Sequence, residues 1–297
     1  MPILLLLLVA LAAGSLIALA FDRLAPARGA TTAAAEAVEQ AIEAHALRTW
    51  WRTRTNPAVA TGLALTAAVA MMIGGGFVIG LLAYLIRGNA ALASIDSGAA
   101  DWGNTHATHL STRMLYWVTD LGDWPIVPIL AVAVLIYEMR RAPSRYLAPF
   151  LLVVYLGDLL ITTGIKDLVD RARPTLNPIA ATLGPSFPSG HSSTAASFYA
   201  AVAFMLARRR SARVRALLAG AAGAIAVAVA ASRVLLDVHW VSDVIAGLML
   251  GWAWFALCAV AFGGRRLRFA APVEDALEEP PRGTPAARSP ARSTSQV

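Results

Sequence analysis

Cysteine is nearly absent from this chain of 297 residues, with Cys258 the only one. A disulfide framework is therefore excluded, and so is any metal site built on thiolates. Lysine is as scarce: of 25 basic residues only Lys166 is not arginine. Charge of either sign is sparse at 14% of residues, well below what a soluble domain of this length carries. No internal repeat is visible. Instead, 58% of residues are hydrophobic and the mean hydropathy is +0.61. Several apolar stretches approach or exceed the roughly 20 residues needed to cross a bilayer.

Seven spans can be drawn, at about 3–21, 58–86, 118–138, 146–165, 191–208, 214–232 and 240–262. Arginines mark alternate connections. Arg23, Arg28, Arg48, Arg52 and Arg54 follow the first span, and Arg140, Arg141 and Arg145 the third. Arg208, Arg209, Arg210, Arg213 and Arg215 follow the fifth, and Arg265, Arg266 and Arg268 the last. The positive-inside rule accounts for the net charge of +7 better than a nucleic-acid partner does. It puts the N-terminus outside and the C-terminus in the cytoplasm. Ala18-Leu19-Ala20 resembles a signal-peptidase site, yet no basic segment precedes the apolar run, so an uncleaved anchor is expected.

The expected organisation has three parts. Residues 1–57 hold the anchor span and a cytoplasmic helix over 30–50, with Glu36, Glu39 and Glu43 along one side. Residues 58–263 form a six-span core, and 264–297, rich in Pro, Arg, Ser and acid, read as a disordered tail. The expected fold class is all-α, a polytopic membrane helix bundle.

Three polar clusters fall on the outer side of this map. "KDLVDRARP" (166–174) ends the fourth span, "FPSGHSS" (187–193) opens the fifth, and "SRVLLDVHWVSD" (232–243) joins the sixth and seventh. Each has an ordinary explanation taken alone. Basic residues at span ends snorkel to headgroups, Ser189 or Ser192 can cap a helix, and Asp243 four residues after His239 can be a simple helical pair.

Together, lysine with Arg-Pro six residues on, then Pro-Ser-Gly-His, then Ser-Arg, five residues, His, three residues, Asp, resemble the three signature motifs of the type 2 phosphatidic acid phosphatase family. Every motif position is filled, and the resemblance covers 58–262. It implies a membrane phosphatase acting on a lipid phosphate or prenyl pyrophosphate, with neither metal nor cofactor. His239 is then the nucleophile that forms a phosphohistidine, His191 the acid for the leaving oxygen and base for water, and Asp243 the residue that keeps one His239 ring nitrogen protonated.

The residue types suit that chemistry. Lys166 offers a point charge, and Arg173 and Arg233 offer planar forks for phosphate oxygens. Ser189 and Gly190 begin a helix whose N–H groups can receive an anion. Arg171 is expected as a weaker phosphate contact. All three motifs face outward in this topology, so the site is expected outside the cytoplasm, at the bilayer surface.

Asp158, inside the fourth span, reads as a structural hydrogen bond to another helix. The outer connection 87–117, with Asp101, Trp102, His106 and His109, reads as a surface helix. Two other functions share the motif spacing or the spans: a phosphotransferase passing the phosphoryl group to an alcohol, and a non-catalytic lipid-binding or transport protein. A soluble vanadate haloperoxidase has a similar site but not seven apolar spans.

Overall fold

The computed structural model describes residues 2–24, 84, 90–174, 183–208 and 210–262. The expected second span, the 30–50 helix and the tail lie outside the described residues.

Among the described residues every regular element is a helix. These are α1 (Pro2–Leu24), α2 (Ala90–Thr105), α3 (His109–Asp120), α4 (Ile126–Arg141), α5 (Leu147–Val169), α6 (Gly190–Leu206), α7 (Ala212–Leu235) and α8 (Val241–Ala261). Stretches within α1, α5, α7 and α8 are long and apolar enough to cross a membrane. The connection expected on the outer side is two helices, α2 and α3, rather than one. The third span also differs from expectation: 118–125 does not begin it, because α3 stops at Asp120 and α4 starts at Ile126. Pro125 lacks an N–H, and the residue before a proline is disfavoured in helical geometry. That break leaves Gly122 and Asp123 in a tight connection.

Between lipid-soluble helices, close packing rather than water exclusion holds the bundle. Two glycines on α8 make this plain. A Cβ on Gly247 would sit 2.5 Å from the Ser189 carbonyl oxygen, and one on Gly251 would sit 2.2 Å from that of Ser193. Only glycine lets α8 and α6 touch backbone to backbone there. Phe150, Phe198 and Met205 fill the layer beyond, all fully buried. Asp158 joins α5 to α6: its carboxylate accepts from Ser193 Oγ and, at 3.0 Å, from Thr194 Oγ1. This is the interhelical hydrogen bond expected of it.

α1 packs antiparallel on α7, with Gly14 against Gly220 and Ala224, and its first turns beside Leu236 and Val238. The bundle therefore has two unlike ends. At one, the buried Glu138 pairs with Arg141 and Arg208 at 3.0 and 3.4 Å. At the other gather the C-termini of α5 and α7, the N-termini of α6 and α8, and the start of α1.

Candidate active site

Each motif occupies a helix end, and local chemistry fixes how the chain leaves it. Lys166 lies in the last turn of α5. Asp170 closes that helix in the left-handed region, φ 44°, with its N–H on the Lys166 carbonyl. Aspartate tolerates this conformation better than most residues. The chain then reverses, and Ser186 ties it to the second motif by donating to Arg171 and Ala172 carbonyls at 2.8 and 3.1 Å. Trp240 Nε1 ties it to the third through Ala172 O at 2.9 Å.

Ser189 is the N-cap of α6, its side chain accepting from Ser192, while its own N–H donates to Asp243 O at 3.0 Å. A Cβ on Gly190 would meet only Thr162 Cγ2, at 3.7 Å. Packing does not demand glycine at 190, which leaves the open side of the helix terminus as its reason. Past α7, the Arg233 carbonyl accepts from Val238 and His239 N–H at 3.2 and 3.3 Å, and Asp237 turns left-handed with φ 55°. This short loop sets His239 beside the arginine that precedes it by six residues.

His239 is almost completely buried. Its Nε2 lies 3.0 Å from Arg173 Nη1, and its Nδ1 lies 3.5 Å from Asp243 Oδ2, slightly beyond a formed hydrogen bond. Arginine can only donate, so Nε2 is the acceptor with a free pair and Nδ1 carries the proton towards Asp243. Burial, then the charges of Arg173, Arg233 and Lys166, hold the His239 pKa well below its usual 6.5. The ring is neutral at neutral pH. Arg173 is itself anchored by donating to Val238, Gly184, Pro185 and Leu183 carbonyls at 2.7, 2.8, 3.2 and 3.3 Å.

Arg171, expected as a weaker phosphate contact, lies among acids. Its guanidinium is committed to carboxylates: Nη1 donates to Asp243 Oδ1 and Ser242 Oγ at 2.6 and 2.7 Å, and Nη2 to Asp96 Oδ2 at 2.8 Å. Both terminal nitrogens of Arg171 thus bond acids, and the Oδ1 contact holds Asp243 in place. Asp96, on α2, is buried and also accepts from Ser242 N and Oγ, at 3.0 and 2.6 Å. Nothing in the sequence singled it out.

Lys166 and Arg233 keep donors for a ligand, and Arg173 brings its charge beside Nε2 of His239. Lys166 makes no ion pair among the described residues. Arg233 is buried, donates Nη1 to Thr119 Oγ1 at 3.0 Å, and keeps an unpartnered Nε. His191, in the first turn of α6, faces Asp123 of the α3–α4 connection, with Nε2 to Oδ2 at 3.5 Å. Asp123 lies outside all three motifs and was not foreseen. A neutral buried imidazole, a second imidazole and a cluster of fixed cations can receive a phosphoryl group and stabilise its charge.

The PAP2 superfamily model matches residues 147–267. Phosphatidylglycerophosphatase B of Bacillus subtilis is 34% identical over 146 residues, 47% of this chain and 70% of that protein. Lipid A 1-phosphatase of Rhizobium etli is 30% identical, over 47% of this chain and 66% of that one. A crystal structure of a transmembrane PAP2-type phosphatidylglycerolphosphate phosphatase from Bacillus subtilis aligns with a TM-score of 0.59 and 28% identity, covering 64% of this chain and 94% of its own. With its motif residues gathered at one end of an all-helical bundle, the chain belongs to the PAP2 superfamily of membrane lipid phosphatases.

Proposed function

We propose that this phosphatase hydrolyses a lipid phosphate monoester or a prenyl pyrophosphate through a phosphohistidine on His239, at the extracytoplasmic surface of the membrane. The observation that carries the proposal is the 3.0 Å contact between Arg173 Nη1 and His239 Nε2. A donor-only partner fixes Nε2 as the unprotonated atom and sits where the phosphoryl oxygens would arrive.

Nε2 attacks phosphorus and the bond to the leaving oxygen breaks, that oxygen taking a proton from His191. Water then gives a proton back to His191, attacks phosphorus and breaks the P–N bond, releasing phosphate. Lys166, Arg173, Arg233 and the N–H groups of α6 at Gly190 carry the phosphoryl charge, so no divalent metal enters the scheme. Lipid phosphates of the kinds named in the two relatives, a glycerophospholipid and a lipid A, are the first substrates to test. The outward placement rests on the arginines at the other end, Arg140, Arg141, Arg145, Arg208, Arg210, Arg213 and Arg215.

Purified protein in detergent, given lipid phosphates and a prenyl pyrophosphate without added metal, should release inorganic phosphate and survive chelator. His239→Ala should lose about 10³-fold or more. An acid-labile, base-stable phosphoenzyme should be trapped from wild type. Transfer to added alcohols exceeding phosphate release would turn the reading into a phosphotransferase. Substantial turnover by His239→Ala would end it.

A further inference from the structure

We propose that Asp123 is the positioning residue of His191, fixing which of its ring nitrogens exchanges protons with the substrate. This rests on the reading that His191 is the acid and base of a phosphohistidine mechanism.

The connection that carries Asp123 is built against the helix that carries His191. A Cβ on Gly122 would meet the His191 carbonyl oxygen at 3.0 Å and Val229 Cγ1 at 2.9 Å, so this backbone runs directly over the first turn of α6. Two turns along the same helix, Tyr199 Oη donates to Leu121 O at 2.8 Å. On the other flank, Thr119 at the end of α3 accepts from Arg233. The Asp123 carboxylate is itself oriented, since Oδ1 accepts from Trp124 N–H at 2.8 Å and Oδ2 faces His191 Nε2 at 3.5 Å. The facing His191 ring, with the charge of Arg233, holds this carboxyl below its ordinary pKa, so it is ionised at neutral pH.

Three consequences follow for the chemistry. With Nε2–H turned to Asp123, Nδ1 is the ring atom left for substrate. In the first step the imidazolium gives its Nδ1 proton to the leaving oxygen and stays as the Nε2–H tautomer. In the second step that same Nδ1 accepts the proton of the attacking water, and the ring is again an imidazolium. The carboxylate is also a negative charge beside His191, opposed by Arg233 from α7 and Lys166 from α5. Without it the cations that bind phosphate would drive the proton off the acid before use.

The test separates proton donation from packing. Wild type, Asp123→Asn, Asp123→Glu and His239→Ala are assayed on an alkyl lipid phosphate and on an aryl phosphate, whose leaving group needs little protonation. Asp123→Asn should lower the alkyl rate by about ten- to a hundredfold. The alkyl-to-aryl rate ratio should fall by about tenfold. The loss of kcat with rising pH should begin at lower pH, because the imidazolium is no longer stabilised, and Asp123→Glu should restore much of the ratio. Equal losses on both substrates with an unmoved pH profile would overturn the inference and leave Asp123 as packing. Activity in His239→Ala would instead remove the mechanism on which it rests.

Discussion

Arg173 Nη1 and His239 Nε2 stand 3.0 Å apart across 66 residues of sequence, and the contact joins two chemical functions. The guanidinium fixes the tautomer of the proposed nucleophile, and its charge helps keep that ring neutral.

The acidic limb of the pH profile should reflect this. His239 has its pKa lowered by burial and by Arg173, Arg233 and Lys166, so the fraction of neutral ring stays high as pH falls through 6.5. The kcat/KM limb assigned to His239 should therefore lie below that value. Arg173→Gln removes a cation, and the limb should move to higher pH along with a large loss of rate. A limb at or above 6.5 in wild type would contradict the proposed state of His239.

Asp96 should matter without touching substrate. It accepts from Arg171 and Ser242, and Arg171 in turn donates to Asp243, which faces Nδ1 of His239. Asp96→Asn keeps the shape but leaves Arg171 short of one charge partner. We expect kcat to fall about tenfold or more with KM nearly unchanged, through displacement of the histidine. A rise in KM with kcat intact would show that Arg171 had been released to bind substrate instead.

Gly251 is a packing prediction. Its added Cβ would lie 2.2 Å from Ser193 O and 2.8 Å from the Ala196 Cβ, both on the stiff first half of α6. Gly251→Ala should cost about 1–3 kcal/mol, since neither helix can give way without moving the site. Gly164→Ala on α5, with nothing within 4 Å of the new atom, should cost nothing or stabilise slightly. Thermal unfolding in one detergent compares the two, and equal midpoints would refute the tight α6–α8 contact.

Sidedness can be read with single cysteines in a Cys258→Ser background. Leu183 is exposed at the site end and Ser211 at the arginine end. In intact cells a membrane-impermeant thiol reagent should label Leu183→Cys and spare Ser211→Cys. The reverse pattern would put the site in the cytoplasm.

The long apolar runs determined that the chain is a helical membrane protein, because a stretch of about 20 such residues satisfies its own backbone in lipid by forming a helix. The motif spacing, through its resemblance to the family's signature, then named His191, His239, Asp243, Lys166, Arg173 and Arg233 as a group, and the apolar runs placed each near a helix end. What the sequence could not settle was partnership. Arg171 is as basic as Arg173, yet one is consumed by Asp96 and Asp243 while the other faces His239. Only the packing of α2 beside α8 decides that, because both arginines leave the same turn. Asp123 and Asp96 belong to no local pattern. They reach the site because α2 and the α3–α4 connection fold over it, and contacts between residues 68 to 146 positions apart leave no periodicity for a linear reading to find.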